Sequence, residues 1–193
     1  MSYEPDRGGA SMKITAVRFP IDWGSFGLPA SFLASGMSIS TGPRGWAWDG
    51  DPPDVGVPLV APVEARSVSG LGLDHVVLLV PDLDGLIDSM ARAGIEPRKR
   101  VIVKERPTAF FLVGALLEVI EEESVDRSLL WGLSLETSES LDAVVDRWRE
   151  AGHDVTDPHP AYQEGREIIT VRDAGAGLAV MTARESRVVN LEF

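Results

Sequence analysis

Leu73-Asp-His-Val-Val-Leu-Leu-Val80 is an apolar run of strand length, and behind Pro81-Asp82 the residues Leu83, Leu86, Ile87 and Met90 take up helical spacing until Gly94 stops it. The pattern returns 58 residues later: Leu141, Val144, Val145 and Trp148 stand at identical intervals, Leu141-Asp142 matches Leu83-Asp84, and Ala151-Gly152 matches Ala93-Gly94. A strand over Leu133 to Thr137 precedes this second helix, with Ser138 or Ser140 as its cap. Strand patterns also follow each helix. They cover Arg98 to Glu105, then Thr108 to Val113 and Leu116 to Glu121 around the turn Gly114-Ala115, and later Glu167 to Val171 and Leu178 to Thr182. Each unit reads β-α-β-β-β, the second with a weaker strand near Asp154, and the two together predict an α+β fold: a mixed sheet with helices on one face.

The rest of the chain differs in character. Residues 1–70 hold 18 of the 32 glycines and prolines and a net charge of −2, against −10 for the remainder. This is expected to be an N-terminal β-rich extension. Met1 to Ser11 reads as a flexible tail, Gly36–Thr41 and Gly45–Asp49 as a hairpin bringing Trp46 and Trp48 to one face, and Asp51–Pro62 as an extended proline-rich connector. Ile14–Ile21 followed by Phe32-Leu-Ala-Ser-Gly36 gives a faint version of the same rhythm, its helical part broken by Pro29 and glycines. Residues 71–185 form the two-unit domain, and 186–193 a C-terminal tail.

Composition narrows the function. At 193 residues, 44% hydrophobic and 25% charged, the chain is long enough for a core, and a net charge of −12 argues against nucleic acid or an anionic membrane as partner. The absence of cysteine excludes a thiolate metal site and a cysteine nucleophile. No apolar run reaches the roughly 18 residues of a membrane helix, and the first residues lack the apolar centre of a signal peptide, so a soluble, cytoplasmic protein is expected.

The tandem βαβββ units, with Leu73-Asp-His-Val-Val-Leu-Leu-Val-Pro-Asp-Leu-Asp84 as opening strand and helix cap and Leu116-Leu-Glu-Val-Ile-Glu121 as closing strand, resemble the vicinal oxygen chelate superfamily of glyoxalases, bleomycin-resistance proteins and extradiol dioxygenases. The resemblance implies a cup-shaped sheet whose floor, in metal-using members, holds a divalent ion by one residue from the first and last strand of each module. Carried over, the first module supplies His75 and Glu118. The second supplies Leu133 or Gly132, and Ala179, none of which can bind a metal.

The resemblance thus leads first to a small organic ligand held without a complete metal site, in a cup lined by His75, Phe111, Glu118, Trp131 and Arg166. The alternative is a divalent-metal-dependent lyase, isomerase or dioxygenase using His75 and Glu118. A third reading is an interaction module in which residues 1–70 cover the cup or form a dimer surface; a homodimer would bring sites from two copies together. Each residue has a plainer reading as well. His75 and Glu118 could form a proton-transfer dyad or a satisfied buried hydrogen bond, Trp131 could be core, and Arg166, in Tyr162-Gln-Glu-Gly-Arg166, could bind a substrate carboxylate or pair with Glu164, Glu167 or another acid.

Overall fold

Two mixed sheets organise residues 12–184, the part of the chain that the computed structural model describes. The first contains β1 (Ile14–Phe19), β2 (Ser31–Ala34), β3 (Met37–Thr41), β4 (Gly45–Trp48) and β5 (Arg66–Ser67) in the order β4-β1-β3-β2-β5. The second begins with β6 (Leu71–Val80), α1 (Leu83–Arg92), β7 (Lys99–Val103), β8 (Arg106–Leu112) and β9 (Leu116–Glu121). It continues with β10 (Leu129–Thr137), α2 (Leu141–Glu150), β11 (His159–Pro160), β12 (Glu167–Val171) and β13 (Gly177–Thr182). Its order is β11-β12-β13-β10-β6-β9-β8-β7.

In both halves of this eight-stranded sheet the first strand runs parallel to the last, β6 beside β9 and β10 beside β13, and the remaining neighbours are antiparallel. The halves join edge to edge through the antiparallel pair β6 and β10. The fold is therefore α+β, two βαβββ modules forming one cupped mixed sheet with its helices on the outer face, plus a β-rich N-terminal part.

Local chemistry accounts for the helices. Asp82 caps α1, its carboxylate accepting from the Gly85 amide at 3.0 Å, and Gly94 ends it at φ +76°, a conformation that costs glycine little. Ser140 stands at the N-cap of α2, but its hydroxyl makes no capping hydrogen bond.

The core lies on one side of the large sheet. Val76, Leu78, Val80, Ala109, Phe111, Leu117, Val119, Leu178 and Val180 pack there with Leu83, Leu86 and Met90 of α1 and with Val144, Val145 and Trp148 of α2. The same continuous cluster takes in Val17, Phe19, Phe32, Ile39 and Trp46 of the N-terminal sheet. Val77, Leu79 and Met181, on the opposite face, are buried but stand outside it. The N-terminal sheet thus packs on the helix side, and the described part of residues 1–70, from Met12 on, does not cover the cup. Phe26 seals the contact: its ring lies edge-on to Trp148, its carbonyl accepts from the Trp148 indole at 3.1 Å, and it stacks on His153.

The expected hairpin between Gly36–Thr41 and Gly45–Asp49 does not form. β1 lies between β3 and β4, parallel to the first and antiparallel to the second, because its apolar Val17 and Phe19 supply the buried centre of the sheet. The true hairpin joins β2 to β3 through Ser35 and Gly36, both at positive φ as a tight two-residue turn requires. Phe32–Gly36 is accordingly a strand and its turn, and the helical position is taken by a 3-10 turn, Trp23–Phe26. β1, β2 and β3 nevertheless have the pairing of a module's first, third and fourth strands. Trp46 and Trp48 are in edge-on contact.

The proline-rich connector ends in a strap over the outer face of this sheet. Carbonyls of Ala61, Val63 and Glu64 accept from Arg18, Ser38 and Ser31. Glycine at 45 makes room for it, since a Cβ there would meet Val60 and the Pro58 carbonyl. The two expected tails, 1–11 and 186–193, lie outside the described residues. Among the described residues no helix is long and apolar enough to cross a membrane.

Candidate functional site

Strand register builds the concave face in rows. One runs Lys99, Phe110, Glu118, Val77, Gly132, Gly177 across β7, β8, β9, β6, β10 and β13. The next runs Leu112, Leu116, His75, Ser134, Ala179, Thr170. Phe110, Val77, Leu112, Leu116 and Ala179 make an apolar surround, and Leu112 is 54% exposed. Glu118 and His75 form the polar centre.

Two β-bulges shape that centre. Register slips between Leu73 and His75, leaving Asp74 as an extra residue, and between Leu130 and Gly132, leaving Trp131 as another. The Asp74 side chain is fully buried. His75 Nδ1 donates to Asp74 Oδ2 at 2.7 Å, since an ionised carboxylate only accepts, and His75 Nε2 lies 3.3 Å from Glu118 Oε2. Behind Asp74, Arg166 Nη1 donates to Oδ1 at 2.5 Å and Arg184 Nη2 to the same oxygen at 3.2 Å. Arg166 is itself fixed, Nη2 to Glu136 at 3.2 Å and Nε to the Thr182 carbonyl at 2.8 Å.

Electrostatics separate the two carboxylates. Burial alone would raise Asp74, but hydrogen bonds from His75 and Arg166, together with their charges, hold it well below the usual carboxylate range. Burial pushes Glu118 up, with His75 opposing and Asp74 adding to the rise. Asp74 is thus a fixed anion that sets the His75 tautomer, and Glu118 is the carboxyl able to hold or release a proton.

Because Glu118 carries a raised folded-state value, its ionised form costs stability once pH exceeds its ordinary value, and the cost disappears on acidification. Glu118→Gln is therefore expected to stabilise the protein near neutral pH, on the order of 1 kcal/mol, with the gain shrinking as pH falls. Urea unfolding of both proteins across that range measures it.

The structure redistributes the expected site residues. His75 and Glu118 meet. Trp131, 43% exposed, lays its ring over Gly177, where a Cβ would strike it, and so belongs to the concave face. Phe111 does not: it is 0% exposed in the helix-side core, and its neighbour Phe110 stands opposite Glu118. Arg166 is buried, and its partners are Asp74 and Glu136 rather than Glu164 or Glu167. Sequence reasoning passed over Asp74, although an aspartate inside an apolar strand demands a partner. Two surface hollows, about 390 Å³ by Met12, Pro53 and Arg92 and about 300 Å³ by Leu83, Arg100 and Pro107, lie away from these residues.

The donor set does not fit the divalent ion that the resemblance implies. Gly132 has no side chain, Leu133 faces the core, and Ala179 offers no donor, so the second module contributes nothing to His75 and Glu118. Among the described residues no group of three or more His, Asp or Glu side chains is placed to hold a metal.

No protein-family model matches the chain, and no curated protein matches it. Several solved structures resemble it. A methylmalonyl-CoA epimerase from Mycobacterium tuberculosis has 18% identity and a TM-score of 0.47, over 59% of this chain and 89% of that one. A Streptomyces coelicolor methylmalonyl-CoA epimerase in complex with 2-nitronate-propionyl-CoA has 18% identity and a TM-score of 0.47, over 58% and 97%. A hypothetical protein from Bacillus halodurans has 12% identity and a TM-score of 0.49, over 61% and 98%. At such values the strand order, rather than the likeness, carries the fold.

Proposed function

We propose that this chain is a glyoxalase-like protein of the vicinal oxygen chelate type that binds a small organic ligand on its concave face, anchored at Glu118 and His75 without a complete metal site. The observation that carries the reading is the close approach of Glu118 and His75 on a face that also carries the exposed Leu112 and Trp131, with His75 oriented from behind by the buried Asp74 anion. A half-buried carboxyl on an apolar surface is costly for folding, and such placements are characteristic of binding and catalytic sites.

Metal analysis of the purified protein tests the metal-free part of the proposal. Substoichiometric divalent metal, unchanged in His75→Ala and Glu118→Ala, is the expected result. Stoichiometric metal lost in both variants would overturn it in favour of a metal-dependent lyase, isomerase or dioxygenase.

A further inference from the structure

We propose that the ligand is an organic ammonium ion, an amine whose protonated nitrogen seats on Glu118 and whose apolar body lies against Phe110, Leu116 and their neighbours. This deepens the reading above and rests on it.

Charge accounting around Glu118 supports a cation. Its row neighbours are Phe110 and Val77, and the residues two places along its own strand on the same face are Leu116 and Ile120. The nearest ionisable group is His75, whose other nitrogen already serves Asp74. The guanidinium groups behind the site are committed: Arg166 donates to Asp74, Glu136 and Thr182, and Arg184 to Asp74. Lys99 ends the same row two strands from Glu118, about 10 Å away at ordinary strand spacing, and makes no ion pair with it. An anionic ligand seated at Glu118 would meet that carboxylate directly, with His75 already turned to Asp74 and Lys99 two strands away, on a chain of net charge −12.

An ammonium ion fits the same surroundings. A carboxylate beside an aromatic face offers a charge-assisted hydrogen bond and a cation–π contact together, and Phe110 supplies that face directly opposite Glu118. The raised position of the Glu118 carboxyl agrees with this, since a bound cation relieves the charge that burial penalises. No covalent bond forms between ligand and protein; the ammonium is held on the Glu118 carboxylate by charge-assisted hydrogen bonds.

Three probes of one shape separate the outcomes: 2-phenylethylamine, 2-phenylethanol and 3-phenylpropionate, titrated into the full chain and followed by amide and indole chemical shifts. The amine is expected to bind at least tenfold more tightly than the alcohol, to shift resonances of Phe110, Glu118 and His75, and to lose that preference in Glu118→Gln. The propionate is expected to leave those resonances in place. Amine preference that survives Glu118→Gln, or propionate binding equal to that of the amine, overturns the ammonium proposal. Equal binding of amine and alcohol at this face overturns it while leaving the ligand-binding reading intact; failure of all three to shift any concave-face residue counts against both.

Discussion

Replacing Arg166 by methionine is expected to cost about 3–5 kcal/mol at neutral pH, because it strands the buried Asp74 carboxylate without its main counter-charge. Arg184 touches the same oxygen, but it is 64% exposed and its contribution is screened. The pH dependence has a definite sign. Asp74 is depressed in the folded state, so its stabilising contribution is present above the ordinary carboxylate range and is lost as pH falls through and below that range. Arg166→Met should therefore lose most at neutral pH and differ least from the parent in acid. Urea titrations at several pH values measure this, and a second variant combining Asp74→Asn with Arg166→Met should recover much of the loss, since it removes the orphaned charge. A full-sized loss that persists in the double variant would locate the effect in packing instead.

Gly132→Ala is the second large effect, expected to cost about 3 kcal/mol or more. A Cβ at this position would come 2.1 Å from the Gly177 carbonyl oxygen, which belongs to the neighbouring strand backbone and cannot swing aside as a side chain would. The strands β10 and β13 would have to part beside the Trp131 bulge. Chemical denaturation gives the magnitude, and Trp131 fluorescence reports the displacement. The same clash bars a histidine at 132, so the second module cannot regain that ligand by one substitution.

How far the sequence could be read depended on what disturbs a regular pattern. The 58-residue recurrence fixed both helices and most strands of the large sheet because it depends on apolar spacing, which packing against the core enforces. Phe111 was misplaced by a single residue in a turn. Taking Gly114-Ala115 as a two-residue connection sets Phe111 opposite Glu118; the chain instead turns through Val113, Gly114 and Ala115, with the Val113 amide donating to the Ala115 carbonyl, and Phe110 takes that place. Bulges at Asp74 and Trp131 are equally silent in an alternation pattern. The N-terminal error had another source, since β1 enters between β3 and β4 from 20 or more residues away and local turn signals favoured pairing those two with each other. Glu118 was legible because a carboxylate alternating with Leu116 and Ile120 is costly unless something meets it. Its meeting with His75 follows from the parallel pairing of β6 and β9.

The hydrogen bond from the Trp148 indole to the Phe26 carbonyl joins residues 122 positions apart. During synthesis the sheet of β1 to β5 leaves the ribosome before the large sheet, and the apolar side of Val17, Phe19, Phe32 and Ile39 has its covering partners in elements translated later. Closure of that sheet thus waits for α2, and the parallel pairings of each module add further long-range contacts. High contact order of this kind slows folding and prolongs exposure of apolar strands, so the nascent chain passes through an interval in which β1 to β3 are made but their apolar side is uncovered and open to aggregation.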